Sequence, residues 1–403
     1  LGWRTGQFSV PFAEWNDRFR DTARTFWLED VDGGSDFGRI SLQEMATRLC
    51  GSADLFATEP GRGAPASINF VSCHDGFTLT DLTRYRSKHN EANGENNNDG
   101  SSVNHSANFG VEGVTDDPDV ITAREQAAMN MIGMLLLSLG TPMMLAGDEF
   151  RNTQDGNNNA YCQDNDITWL KWDWMYSTNK TREMRRLETV SRLVALRKSL
   201  DLYHHEDFFT RLTQLGLLKP SSRVQWFLPD GTTPMERDWF DLGVRSFTMR
   251  LLSNSEVDVC IVVNGTADDR TFRLPPDTHW TPKWCSAEIN GRRAGHGTQV
   301  EECDLNGDTT VWTQHVPDAS ETVLKMVEEV AMQRTESSTE NEADTIKFAM
   351  PVTDHAANGT SSAPRDEVSA DMPDAPVDDT PDTPVDDNVW TMPALSITLM
   401  KQV

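Results

Sequence analysis

His74 and Asp75 are the residues in this chain best placed to do chemistry. They end the stretch Ser67-Ile-Asn-Phe-Val-Ser-Cys-His-Asp-Gly-Phe-Thr-Leu79. Ile68, Phe70 and Val71 make an apolar run of strand length, and Gly76 lets the chain turn immediately after the polar pair. An imidazole and a carboxylate are thereby delivered together to the carboxyl end of a strand. In a barrel of alternating strands and helices the loops at that end converge on one pocket. The plainer alternative is that Asp75 caps a turn and His74 is a satisfied surface group. A second polar pair, Asp148 and Glu149, follows the apolar run Thr141-Pro-Met-Met-Leu-Ala146 in the same manner.

Composition narrows what such residues can serve. The chain has 403 residues, enough for two domains and a large core. Its net charge of -27 argues against nucleic acid and against anionic membrane surfaces, which call for clustered Lys and Arg. The longest apolar run, Met129 to Leu139, is interrupted by Asn130 and Gly133 and is too short to span a bilayer. Cysteines at 50, 73, 162, 260, 285 and 303 show no Cys-x-x-Cys spacing, so neither a zinc site nor a disulfide framework is expected. Reduced thiols in a cytoplasm fit that pattern, with no cofactor and no metal. His89 and His105 have no ligand spacing. The chain opens on Leu1 within dense, specific sequence and reads as the interior of a longer protein.

The elements that must position the two pairs follow from periodicity. A short strand near Phe12 precedes a helix whose N-cap is Asn16 or Asp17, with Phe19, Ala23 and Phe26 on one face. Leu42 to Cys50 makes a second helix. Residues 80–118 read as a long loop, of a length that is usually functional or disordered. Pro118 and Asp119 open a helix that runs to about Leu139 and is ended by Gly140. The run Thr141 to Ala146 is a second buried strand, and a helix from about Thr181 to Lys198 follows. This is βαβ text, with polar groups twice at a strand's carboxyl end.

After about Tyr203 short alternating runs appear, at Val224 to Phe227, Phe247 to Leu251, Val259 to Val263, Thr271 to Leu274 and Thr310 to Trp312, separated by turn residues. They predict an all-β domain. Residues 335–388 hold fourteen acidic side chains against Lys347 and Arg365, and so supply 12 of the 27 net negative charges. That composition predicts a disordered insertion. Leu395, Ile397 and Leu399 then alternate with Ser396, Thr398 and Met400 as a closing strand.

Several stretches together resemble the glycogen debranching enzymes of isoamylase type, in the α-amylase superfamily of glycoside hydrolases. They are Gly6-Gln-Phe with Phe12 to Asp21, His74 to Leu79, Asn90 to Gly100, Gly110-Val-Glu-Gly113, Gly140 to Phe150, and Gln154 to Asn165 with Trp169. The resemblance covers roughly residues 1–315 and the last strand, and implies an α/β part followed by an all-β part. Residues 1–203 would be the C-terminal part of a TIM (β/α)8 barrel, about strands six to eight. Residues 204–334 with 389–403 would form an antiparallel β-sandwich, interrupted by the acidic insertion 335–388.

The resemblance implies cleavage of α-1,6 branch linkages in glycogen or limit dextrin with retention, by an aspartate nucleophile, a glutamate acid/base and a second aspartate. Asp75 matches the second aspartate, the transition-state stabiliser that binds sugar hydroxyls, and His74 matches its neighbour. The nucleophile and acid/base would lie upstream of Leu1, so the chain alone is expected to be inactive. Asp148 and Glu149 are substrate contacts on this reading, or else loop ligands. The Asn-rich loops at 93–98 and 157–159 bind sugar or fold by Asx turns. Trp15, Trp27, Trp169, Trp172 and Trp174 stack on glucose rings or pack. The partner is a branched α-glucan, with no nucleic acid and no membrane. Another superfamily hydrolase or transglycosylase, or a non-catalytic glucan-binding piece, remains open at this point.

Overall fold

A computed structural model of the chain describes residues 5–28, 38–57, 62–204, 224–252, 258–276, 279–296, 301–302, 388–393 and 396–402. The acidic insertion up to residue 387, the run Thr310 to Trp312 and Leu395 lie outside the described residues. The chain divides into two compact units. One comprises Leu1–Ser320 with Asp386–Val403, and the other, Glu321–Val385, falls wholly outside the described residues.

The first part is mixed α/β. Strand β1 (Glu14–Asn16) leads directly into helix α1 (Asp17–Leu28), because the Asn16 side chain caps it by accepting from Phe19 N at 3.0 Å. Helices α2 (Leu42–Leu49) and α3 (Ala53–Phe56) precede β2 (Ser67–Asn69), and the short helix α4 (Leu79–Leu82) follows it. Helix α5 (Pro118–Leu137) carries Pro118 in its first turn. Its cap Asp117 accepts from Asp119 N at 2.9 Å. Then come β3 (Thr141–Pro142) and α6 (Arg182–Ser199). The three strands form one parallel sheet in the order β1-β2-β3, with Trp15 opposite Ile68 and Ile68 opposite Thr141.

Two strands are shorter than the sequence suggests. The β2 ladder stops at Asn69, and Phe70 and Val71 lie buried beyond it. The expected strand Thr141 to Ala146 pairs only over Thr141–Pro142, and Met143 N donating to Asn69 O at 2.8 Å adds one last rung. Pro142 has no N–H to give, and β3 is the edge of this sheet among the described residues. The expected loop 80–118 is interrupted by α4. The inner residues of β1 and β2 are polar and tie the sheet to what lies beneath it. Asn16 Nδ2 donates to Ser52 Oγ and Ser67 Oγ, both at 2.8 Å, and Asn69 Nδ2 donates to Leu139 O at 2.9 Å.

The second part is antiparallel, built from β4 (Val224–Phe227), helix α7 (Glu236–Phe240), β5 (Ser246–Leu251), β6 (Val259–Asn264), β7 (Arg270–Arg273), β8 (Trp280–Cys285), β9 (Arg292–Arg293), β10 (Gly295–His296), β11 (Glu301–Glu302), β12 (Val389–Met392) and β13 (Ser396–Gln402). One sheet runs β4-β5-β6-β13-β8, a second runs β10-β12-β7, and β9 pairs with β11. Strand β6 is buried at every position, because Val259, Ile261 and Val263 join the core shared with α5 while Cys260 and Val262 face a second core with Phe272, Trp390 and Met392. Two covered faces account for its unbroken apolar run. Helix and sheet approach closely at Gly133 of α5, where an added Cβ would lie 2.6 Å from Ile397 Cγ2 and 2.9 Å from Trp284 Cη2. None of the helices among the described residues is long and apolar enough to cross a membrane. Cys50, Cys73, Cys162, Cys260 and Cys285 are free thiols.

Candidate functional site

Beyond β2 the backbone runs through buried Ser72 and Cys73 and then surfaces. The side chains of His74 and Asp75 are 69% and 67% exposed. Gly76 turns the chain with φ of 77°, a left-handed conformation that a side chain there would strain. Its N–H donates to Asn158 O at 2.9 Å, which clasps the turn to a distant loop. Asp75 is held from within its own turn, because the Cys73 thiol donates to Asp75 Oδ1 at 2.7 Å. Burial, and then that hydrogen bond to the carboxylate, push the Cys73 thiol up to about 11. His74 Nδ1 lies 4.0 Å from Asp75 Oδ1, and the His74 ring stands edge-on to Trp15 with centroids 5.6 Å apart. Trp15 itself is half-exposed and leans on Phe70.

The supporting residues come from far along the chain. Arg24, buried on α1, donates to Val71 O at 2.7 Å and to Asn104 O at 3.0 Å, so it fixes the end of β2 against the following loop. Burial holds its guanidinium down, to about 10. The Asn-rich loops fold on each other. Asn90 Nδ2 donates to Asn158 Oδ1 and the main-chain Asn158 N to Asn90 Oδ1, both at 2.9 Å, and Asn158 Nδ2 donates to Ser101 O at 2.8 Å and Asn104 Oδ1 at 2.7 Å. Asn157 Nδ2 donates to Asn93 Oδ1 at 2.8 Å, and Asn93 Nδ2 to Asp99 Oδ2 at 2.7 Å. Asn90, Asn157 and Asn158 are buried, so their amides build the loop rather than face a ligand.

Asp148 lies deeper than Asp75. It is 1% exposed, accepts from the Ser72 hydroxyl and from Leu79 N at 3.0 Å, and has no face toward solvent. It braces the strand end from behind, through Ser72 and Leu79. Burial pushes its carboxyl up to about 6 against the help of those donors. Glu149 accepts from Gly147 N at 2.8 Å and stays partly exposed. Below them Arg186 pairs with Glu125 at 2.7 Å inside the core. Asp81, also buried, accepts from Thr153 and from Gln154 N at 2.8 Å. Trp27 is buried on α1, Trp172 and Trp174 gather around Phe150, and Trp169 is exposed with its Nε1 on Asp164 at 3.0 Å. His89 contacts Glu112 at 3.2 Å and His105 contacts Thr25 at 3.2 Å.

Sequence reasoning passed over Arg24, Ser72 and Cys73. Nothing in their local spacing marks them, since their partners are supplied by the fold. Cys73, His74 and Asp75 also bring a sulfur, a ring nitrogen and a carboxylate oxygen within 4.8 Å of one another. The arrangement offers one exposed, pre-oriented carboxylate with an imidazole and an indole beside it, at the end of a parallel sheet. It can bind and orient a polyhydroxylated ligand. A bond cleavage that needs a carboxylate on each side of the reacting carbon requires partners beyond those gathered here.

No family model matches the chain. It is 39% identical over 306 residues to a protein named glycogen debranching enzyme from Pectobacterium atrosepticum, a match covering 75% of this chain and 42% of that protein. It is 41% identical over 252 residues to a glycogen operon protein GlgX homolog of Mycobacterium tuberculosis, covering 61% of this chain and 32% of the other. It is 50% identical over 172 residues to a glycogen debranching enzyme of an Enterobacter species, covering 43% and 25%. Among solved structures, a pullulanase from Anoxybacillus sp. LM18-11 superposes with a TM-score of 0.46 at 17% identity, over 69% of this chain and 32% of that one. The chain spans less than half the length of the curated relatives it matches. In sequence it is a relative of proteins named as glycogen debranching enzymes.

Proposed function

We propose that this chain is part of a glycogen debranching hydrolase, and that the whole protein cleaves α-1,6 branch linkages of glycogen or limit dextrin with retention. Asp75 carries the reading: a two-thirds exposed carboxylate at the end of a parallel strand, oriented by the Cys73 thiol and presented by the Gly76 turn. Its role is to accept hydrogen bonds from hydroxyls of the glucose unit at the cleavage point. Those bonds strengthen as the ring moves toward an oxocarbenium-like state. His74, and at the rim Glu149, contact the same sugar, and Trp15 offers an apolar face beside it. The nucleophile and the acid/base come from residues outside these 403, in the length of the relatives that the chain does not span.

On this reading β1, β2 and β3 are the sixth, seventh and eighth strands of a TIM-type barrel. The barrel part comprises residues 1–203, the sandwich 204–334 with 389–403, and the acidic insertion 335–388. The parallel order of the three strands and the antiparallel sheets after them support this division. The protein is cytoplasmic on the same reading, and its partner is branched α-glucan. The test is the release of linear maltodextrins from glycogen by the whole protein, measured as new reducing ends, with Asp75→Asn as the control. A wild-type protein that yields chains but no net reducing ends is a transglycosylase, and this reading then fails.

A further inference from the structure

We propose that Cys73, His74 and Asp75 form a binding site for a thiophilic divalent cation of the zinc or cadmium type, and that occupation of the site takes Asp75 away from sugar. The donor atoms are one thiol sulfur, one imidazole nitrogen and one carboxylate oxygen, all within 4.8 Å of one another. Zinc bonds of about 2.3 Å to sulfur and about 2.0–2.2 Å to nitrogen and oxygen put two ligands of one ion roughly 3 to 4 Å apart. The sulfur to Asp75 Oδ1 separation of 2.7 Å and the His74 Nδ1 to Asp75 Oδ1 separation of 4.0 Å bracket that spacing. Small side-chain rotations therefore complete the site, with no backbone change.

Access and chemistry agree with the geometry. His74 and Asp75 lie open to solvent while Cys73 forms the buried floor, so a cation arrives from the side that a ligand would use. The thiol proton now bridges sulfur and carboxylate. The cation takes its place: a metal–sulfur bond forms, the S–H bond breaks, and the proton leaves to solvent. A mixed S/N/O set favours borderline and soft cations over magnesium or calcium, and three protein ligands leave a fourth position for water. The inhibitory consequence rests on the proposed role of Asp75 in holding sugar, whereas the binding itself does not.

The experiment adds Cd2+ alone to the purified protein that carries this chain and follows the ultraviolet thiolate-to-cadmium absorption. One equivalent should bind. Cys73→Ser, which keeps the size and the donor to Asp75, should abolish the band. His74→Ala and Asp75→Asn, both surface changes, should weaken binding by about tenfold or more. Cys162→Ser, at an exposed cysteine outside the cluster, should leave it unchanged. A band that survives Cys73→Ser overturns the site, as does wild-type affinity in both His74→Ala and Asp75→Asn. In a parallel assay zinc should inhibit glucan hydrolysis by the wild type, and Cys73→Ser should escape relative to its own basal rate. Cadmium binding with undiminished hydrolysis overturns the inhibition and counts against the sugar role of Asp75, while the site stands.

Discussion

Gly76 N donates to Asn158 O at 2.9 Å, so the turn that presents Asp75 is set by a loop encoded far downstream. Asn158 is 2% exposed, and its side chain is bonded to Asn90, Ser101 and Asn104. Asn158→Ala should leave those partners unsatisfied and cost about 2 to 3 kcal/mol of stability. It should also lower kcat on branched dextrin without contact to sugar. Urea unfolding and steady-state kinetics on the same variant check both, and a variant with wild-type stability would show that the side-chain bonds anchoring this loop are dispensable.

Asp75→Asn should reduce turnover by several orders of magnitude while leaving the melting temperature unchanged. The change is nearly isosteric, the side chain is exposed, and the amide oxygen still accepts from Cys73. What it removes is the charge that stabilises the transition state. More than about a tenth of wild-type rate, a barrier change under about 1.4 kcal/mol, would refute the assigned role.

The sequence shows the site's front and hides its back. His74 and Asp75 were legible because apolar run, polar pair and glycine are neighbours, and the motif around them resembles a known family. Arg24 was not, since it reaches carbonyls 47 and 80 residues away. Asp148 looked like Asp75 locally, at the end of an apolar run, and only packing shows that Ser72 and Leu79 enclose it. In the β part, β6 was legible from its run of apolar residues. Strand β8 was concealed by Pro282, which sits opposite Met400 where the register of β13 shifts. A proline at an irregular edge position reads as a break in sequence and as a strand in the fold.

Gly133→Ala should destabilise the protein although alanine is the better helix former by about 1 kcal/mol. The new methyl would meet Ile397 Cγ2 at 2.6 Å and the Trp284 ring at 2.9 Å, both in a packed core. Overpacking there costs about 1–3 kcal/mol, so the net effect is a loss of stability. A chemical denaturation midpoint at or above wild type would show that helix and sheet separate easily.

Asp148 gives the fold a pH dependence of defined sign. Its carboxyl titrates near 3.8 when the chain is unfolded and is raised to about 6 in the fold, chiefly by burial. Between those values the folded state binds more protons than the unfolded one, so stability from this group is fully present below about pH 4 and is lost as pH rises through about 6. Replacing it by Asn removes the ionisation while keeping an oxygen to accept from Leu79 N. Against Asp148→Asn, the wild type should therefore gain on the order of 2 kcal/mol as pH falls from about 7 to about 4. Urea unfolding of the pair across that range isolates this group from the other carboxylates, which both proteins share. A constant difference across the range would mean that Asp148 ionises freely where it lies, and that the Ser72 and Leu79 donors compensate its burial in full.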